Sequence, residues 1–326
     1  MSTTRIKVPT GDICTMDGER GQLEFLSLGD YGKAKNIKAD FLGLPNEIEG
    51  VPHGALLPLT EKWVITISSQ YGCSMGCRFC DVPKVGPGIN ATVADMFDQI
   101  DGGLSLHPEI TSTKRLNIHF ARMGEPTLNP DVLTVARMLL NAYPQHRVHP
   151  VVSTMMPIKN EWLEPFLKVW CKLKNEDYRG NAGLQLSINS TDESERYKMF
   201  RGNALPLWNI GDVMARIPAP VGRKYTLNFA LADYTIDVDR LLKFFPPERF
   251  ICKLTPMHRT AAAEKNGIRT EDGYTSYTPY RETELALKSG GYDVIVFVPS
   301  LEEDESRITC GNAILCEDYY ANGGAG

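Results

Sequence analysis

The chain predicts an α/β fold: a partial (β/α)6 TIM-like barrel with a small β-rich N-terminal extension. Three observations lead there. From Trp63 onward, apolar runs of strand length alternate with amphipathic stretches of helix length. The apolar runs are nearly continuous, as expected of strands covered on both faces of a parallel sheet. The polar residues with chemical character follow the strands, at the C-terminal ends where α/β barrels build their sites.

In chain order, the apolar stretches 23–28 and 37–44 stand among Gly, Pro and charged residues and read as strands of an extension spanning 1–60. Barrel strands are expected at 63–68, 116–121, 147–153, 183–188, 225–230, 249–255 and 292–298, within a unit spanning 61–300. Helices are expected near 92–104, 131–143, 161–174, 193–200, 237–245 and 278–289. A C-terminal segment, 301–326, carries Cys310 and ends in Asn322-Gly323-Gly324-Ala325-Gly326, a tail read as flexible.

Three cysteines cluster after the first barrel strand, in Gly72-Cys73-Ser74-Met75-Gly76-Cys77-Arg78-Phe79-Cys80. The spacing is Cys-x3-Cys-x2-Cys, with an aromatic residue before the last thiol. Three thiolates on one tight loop can hold three corners of a [4Fe-4S] cluster and leave the fourth iron without a protein ligand. An open iron beside a reductant can bind S-adenosylmethionine (SAM) and split it into a radical, and the spacing resembles the radical-SAM signature. The rival readings are a zinc-holding binding module and a disulfide framework. Structural zinc takes four ligands, and the closest further His is His53. Disulfide frameworks suit short secreted chains rather than one of 326 residues.

Composition narrows the class. The net charge of −5 and pI near 5.8 argue against a broad basic nucleic-acid surface. No apolar run reaches membrane-spanning length, and Met1-Ser2-Thr3-Thr4-Arg5 lacks the apolar core of a secretory signal. A cytoplasmic location and no membrane partner are the expectation.

Met123-Gly124-Glu125-Pro126 follows the second barrel strand. Gly124 would admit a ligand close to the backbone, Glu125 would face a cationic amine, and Pro126 would stiffen the turn. Ser153, Ser187 and Asn189 end the third and fourth strands; such residues bind ribose hydroxyls or carboxylates and are equally good turn formers. His258 follows the sixth strand as a pocket or a surface residue. Lys84, Arg122 and Arg259 would suit a phosphate-bearing substrate or simply a charged surface. Cys310, in Thr309-Cys310-Gly311-Asn312, reads as a core thiol or an active-site thiol.

Several of these segments resemble the RlmN/Cfr group of radical-SAM RNA methyl synthases. They are Ser68-Ser69-Gln70-Tyr71-Gly72-Cys73, Met123-Gly124-Glu125-Pro126-Thr127-Leu128-Asn129, Val152-Ser153-Thr154-Met155-Met156-Pro157, Leu186-Ser187-Ile188-Asn189 (Asn in place of a family His) and Cys310-Gly311. The resemblance runs from about residue 60 to residue 312. It implies a radical-SAM barrel holding a [4Fe-4S] cluster on Cys73, Cys77 and Cys80. It implies a SAM pocket lined by Gly124, Glu125, Ser153, Ser187, Asn189 and His258, with Cys310 as methyl carrier. One SAM methylates that cysteine; a second yields a 5′-deoxyadenosyl radical, which activates the S-methyl group for addition to an unactivated nucleobase carbon. A flavodoxin- or ferredoxin-type reductant and a nucleic acid or nucleotide substrate, RNA foremost, are the implied partners.

Two departures follow. The family's resolving cysteine falls here on Thr66, whose hydroxyl forms no disulfide and is a poor base; Cys316 and Cys14 are the substitutes available. The stretch before the cysteine loop is also short for the family's N-terminal RNA-binding domain. The alternative reading is therefore a radical-SAM enzyme that takes hydrogen directly from a nucleotide, peptide or small molecule, without the methyl-cysteine relay.

Overall fold

The structure is a computed structural model that describes residues 3–30, 37–38, 47–48, 51–52 and 56–316. The stretch expected as a strand at 37–44 is described only at its first two residues, and the glycine-rich tail lies outside the described residues.

The chain begins with an antiparallel meander of β1 (Thr3–Val8), β2 (Gly11–Gly18) and β3 (Gly21–Leu28). Short pairs follow: β4 (Ile37–Lys38) docks on the far edge of the main sheet, while β5 (Glu47–Ile48) pairs with β6 (Val51–Pro52). Next come β7 (Trp63–Ile67), β8 (Gln70–Gly72), β9 (Pro87–Asn90), α1 (Val93–Ser105), β10 (Thr113–Phe120), α2 (Asp131–Ala142), β11 (His146–Thr154) and α3 (Leu163–Lys172). The chain continues through β12 (Gly183–Ser187), α4 (Glu193–Met199), α5 (Leu207–Ala215), β13 (Tyr225–Leu231), α6 (Val238–Phe244) and β14 (Phe250–Pro256). It closes with α7 (Ala261–Lys265), α8 (Thr278–Ser289), β15 (Asp293–Phe297) and α9 (Leu301–Glu305).

Strands β7, β10, β11, β12, β13, β14 and β15 pair in that order, all parallel, and β3 joins β7 antiparallel, so the meander extends the same sheet. Among the described residues no ladder joins the two ends, which leaves the sheet open. One face packs under the helices. Trp63, Ile65 and Ile67 alternate with half-buried Val64 and Thr66, and the rule repeats along β14. Each such side chain buried contributes about 1.5–3 kcal/mol.

The helices are tied down by local chemistry. Thr92 and Asp95 form a reciprocal capping box at the start of α1, and Asp95 also accepts from the Glu19 amide of the meander at 3.0 Å. Trp170 of α3 stands edge-on to Phe120 and donates to the Gly183 carbonyl at 3.1 Å.

The seven barrel strands lie where the apolar runs place them, within a few residues. The sequence reading did not include β1, β2, α5, α7 or α9. The segment 3–18 mixes charges and threonines with its apolar positions, and α7 and α9 are five residues each, too short for a periodic signal.

Candidate functional site

The cysteine loop begins where β7 ends. Ser68 donates its hydroxyl to the Glu24 carbonyl and its amide to the Gln99 side-chain oxygen, which fixes the exit from the strand. Gly72 then adopts φ +75°, and a side chain there would lie 2.1 Å from the Gly86 carbonyl oxygen. The Cys73 amide donates to that same oxygen at 3.1 Å. Farther on, the Arg78 amide donates to Met199 at the end of α4, and Cys80 to Cys77. The Cys77 sulfur lies 3.9 Å from that of Met155, at the end of β11.

Cys73, Cys77 and Cys80 are half-buried by surface area yet closely ringed by protein. Burial pushes the Cys73 thiol up to about 11 and lifts Cys77 and Cys80 further; the negative charge of neighbouring thiols adds to both, as does Glu125 for Cys77. Among the described residues no group of His, Cys, Asp or Glu gathers to hold a single metal ion. A cuboidal cluster instead takes each thiolate at a separate corner, and its irons would offset the thiolate charge there. The donor set suits such a group.

Gly124 has φ +98°, and a side chain there would meet Gln70 Cβ at 2.6 Å. The space on its Cβ side thus belongs to Gln70. Gln70 also accepts the Glu125 amide at 2.9 Å, so β8 and the Gly-Glu-Pro turn are bolted together. The Glu125 carboxylate receives the Thr127 amide and hydroxyl and the Met155 amide at 3.1, 2.7 and 3.0 Å. It has no ion-pair partner among the described residues, and burial raises its pKa. A cationic amine would relieve that cost.

Ser153 and Ser187 are half-buried at the ends of their strands. Asn189 is committed to the fold: at φ +60° its side-chain oxygen accepts the Ala230 amide at 3.0 Å, and its amide nitrogen reaches the Met199 sulfur at 3.4 Å. His258 is likewise engaged. Its Nδ1 lies 3.3 Å from both the Tyr274 hydroxyl and an Asp304 carboxylate oxygen. Of the phosphate-site candidates, Arg122 is bound at 2.8 Å to Glu24 in a fully buried pair, Arg259 lies 3.6 Å from Glu264, and Lys84 lies 3.1 Å from Asp81.

The fold brings Cys310 to the cysteine loop from 230 residues farther along the chain (310 − 80). Gly311 accepts the Asp81 amide at 2.8 Å, and its Cβ position lies 3.7 Å from the Cys80 Cα and 3.3 Å from the Phe79 carbonyl oxygen. The Cys310 side chain is exposed. Burial raises its pKa, with Lys253 and Arg122 partly opposing.

Several anchors of this segment were not singled out from the sequence. Glu24 accepts the Leu315 amide at 2.5 Å as well as Arg122, and Arg122 donates to the Arg307 carbonyl at 2.9 Å. Asp304 accepts the Arg259 amide, the Tyr274 hydroxyl and the Thr309 hydroxyl. Asp81 caps α7 through the Ala261 and Ala262 amides. A charged residue inside an apolar strand run, as Glu24 is, was the available signal. A separate recess of about 360 Å³ between α2 and residues 177–181 is lined by none of these residues.

No family model matches the chain. It is 42% identical over 228 residues to the dual-specificity RNA methyltransferase RlmN of Aliarcobacter butzleri, covering 69% of this chain and 56% of that protein. It is 28% identical over 167 residues to that of Helicobacter hepaticus, covering 49% and 40%. Its fold matches the crystal structure of a radical SAM methyltransferase from Sphaerobacter thermophilus with a TM-score of 0.66 at 19% identity, over 95% of this chain and 80% of that one. The chain belongs to the RlmN/Cfr-like radical-SAM family. It spans about half the length of the curated relatives it matches.

In this RlmN/Cfr-like chain, Thr66 sits on β7 between Leu26 of β3 and His119 of β10. Neither candidate substitute thiol is open. Cys14 is packed beneath the sheet with Met16, Leu23 and Phe25, and burial pushes it up to about 11. Cys316 is buried, donating to the Ala313 carbonyl and receiving Arg307, both at 3.1 Å.

Proposed function

We propose that the chain is a radical-SAM methyl synthase of RlmN/Cfr type, acting in the cytoplasm on an unactivated carbon of a nucleobase, RNA foremost. The observation that carries this reading is the docking of Cys310-Gly311 against the cysteine loop, with Gly311 accepting the Asp81 amide at 2.8 Å. The relatives named as RNA methyltransferases support the substrate class. No described helix is long and apolar enough to cross a membrane.

In this reading Cys73, Cys77 and Cys80 hold three corners of a [4Fe-4S] cluster and leave the fourth open for SAM. When bound, that cluster supplies the electron that cleaves SAM to a 5′-deoxyadenosyl radical. Glu125 presents its buried carboxylate to the amine of SAM and keeps three internal donors that fix its orientation. Gly124, Ser153 and Ser187 shape the pocket wall, and Asn189 and His258 act from behind it. Cys310 carries the methyl group, its exposed sulfur open to an incoming substrate. The electron comes from a flavodoxin- or ferredoxin-type protein.

The test is peptide mass spectrometry of iron-loaded chain incubated with SAM under reductant. A one-methylene increment on the Cys310 peptide, together with 5′-deoxyadenosine, is expected. Iron-loaded chain that never consumes SAM defeats the reading. Thr66, standing where the family has a thiol, favours a second reading, direct hydrogen abstraction; 5′-deoxyadenosine with an unmodified Cys310 supports it.

A further inference from the structure

Beside the cysteine loop lies a groove of about 310 Å³ whose wall includes Cys77 and Cys80. Four cations line it: Arg78, Lys84, Arg201 and Lys265. Arg78 is held in place, both of its guanidinium contacts going to the Asn266 side-chain oxygen at 3.0 and 2.7 Å. The neighbouring acids are occupied. Asp81 is buried, caps α7 and lies 3.1 Å from Lys84, while Glu264 lies 3.6 Å from Arg259. A chain of net charge −5 thus concentrates positive charge at one place beside the two cysteines.

The groove wall includes Cys77 and Cys80, and Cys310-Gly311 meets Cys80 beside Thr260. An electron must come from outside, and transfer is faster the shorter the gap. A donor seated in the groove lies against two of the three loop cysteines.

We propose that this groove is the docking surface for an acidic one-electron redox protein, whose carboxylates meet Arg78, Lys84, Arg201 and Lys265. The assignment rests on the radical-SAM reading. A positive patch on an otherwise acidic protein steers an acidic partner to that face and repels it elsewhere, which sets the encounter rate and makes it salt-sensitive.

The test uses the full chain, with and without reconstituted iron, and an acidic flavodoxin as probe. Binding is measured by biolayer interferometry at low and high salt. The same preparations then form 5′-deoxyadenosine from SAM, driven either by reduced flavodoxin or by dithionite. A Lys84→Glu/Lys265→Glu variant is expected to bind flavodoxin about tenfold more weakly at low salt, with the difference vanishing at high salt. Its flavodoxin-driven rate falls in step and its dithionite-driven rate stays at the parent level, while Lys84→Arg/Lys265→Arg retains both. Unchanged flavodoxin binding in the reversed variant overturns the proposal. So does an equal loss under both reductants, or a variant that loses RNA oligonucleotide binding while keeping flavodoxin. If flavodoxin binding depends on the groove but neither reductant drives SAM cleavage in the parent, the docking surface stands and the enzymatic reading fails.

Discussion

The cysteine loop and the Cys310 segment meet at one place but are held there differently. The loop is positioned by backbone contacts with its neighbours in sequence, with the turn after β10 and with the end of α4: Gly72 against Gly86, Gln70 against Gly124, Arg78 on Met199. The Cys310 segment is held by Glu24 on β3, which accepts the Leu315 amide, by the Asp81 amide beside the loop, and by nearby Asp304, which engages Thr309, His258 and Tyr274. A small apolar core of Ile13, Leu26, Ile308 and Ile314 backs it against the meander. One region is fixed by backbone geometry, the other by buried charge. The segment can therefore be loosened while the loop stays in place.

The comparison breaks most completely at the loop. Cys73→Ala/Cys77→Ala/Cys80→Ala is expected to lose iron and all 5′-deoxyadenosine formation while far-ultraviolet circular dichroism stays that of the parent. Iron retained at parental content would place the cluster elsewhere.

Removing the anchor of the segment comes next. Glu24→Ala leaves Arg122 charged and buried, a loss of about 3–5 kcal/mol in thermal or denaturant unfolding. Glu24→Met/Arg122→Met, with no orphan charge, should recover most of that loss. Both variants should keep parental iron content, and both should expose Cys310 to faster alkylation than the parent. Unchanged alkylation would mean the buried pair does not hold the segment.

At Gly124 the loop is tested again. Gly124→Ala must hold φ +98° against Gln70, which costs about 1–3 kcal/mol. It should lower iron retention in a chelator challenge and leave Cys310 alkylation unchanged.

The smallest effect is expected at Asp304. Burial alone would raise its pKa, but the hydrogen bond and charge of His258, with the Thr309 hydroxyl and the Arg259 amide, hold it below the ordinary value. The unfolded chain therefore binds the proton more readily. The contribution of Asp304 is fully present above about pH 3.9 and fades as pH falls through the lower folded value. Asp304→Asn should cost about 1–3 kcal/mol at neutral pH, and the difference from the parent should shrink under acid. A constant difference across that range would assign the cost to packing.

What was legible in the sequence follows the same division. The parallel strands and the cysteine loop were readable because each is written in consecutive residues: an apolar run, then a turn, then thiols. Glu125 was readable for the same reason. The seat of Cys310 was not, because Glu24, Arg122 and Asp304 acquire meaning only once the sheet brings β3, β10 and α9 together. Asn189 and His258 were expected in the pocket from the family resemblance, and the structure adds that Asn189 accepts the Ala230 amide and that His258 lies against Asp304. Position in the chain places a residue at a strand end but does not say which partner takes its polar atoms.

The antiparallel joint between β3 and β7 has a bearing on synthesis. Glu24 and the cysteine loop emerge early, and the thiol that faces them is made more than two hundred residues later. At ordinary elongation rates that interval is about 10–50 seconds. During it Glu24 lacks the Leu315 amide that it later accepts. A thiol-capturing metal or chaperone arriving in that window meets the three loop cysteines before Cys310 joins them.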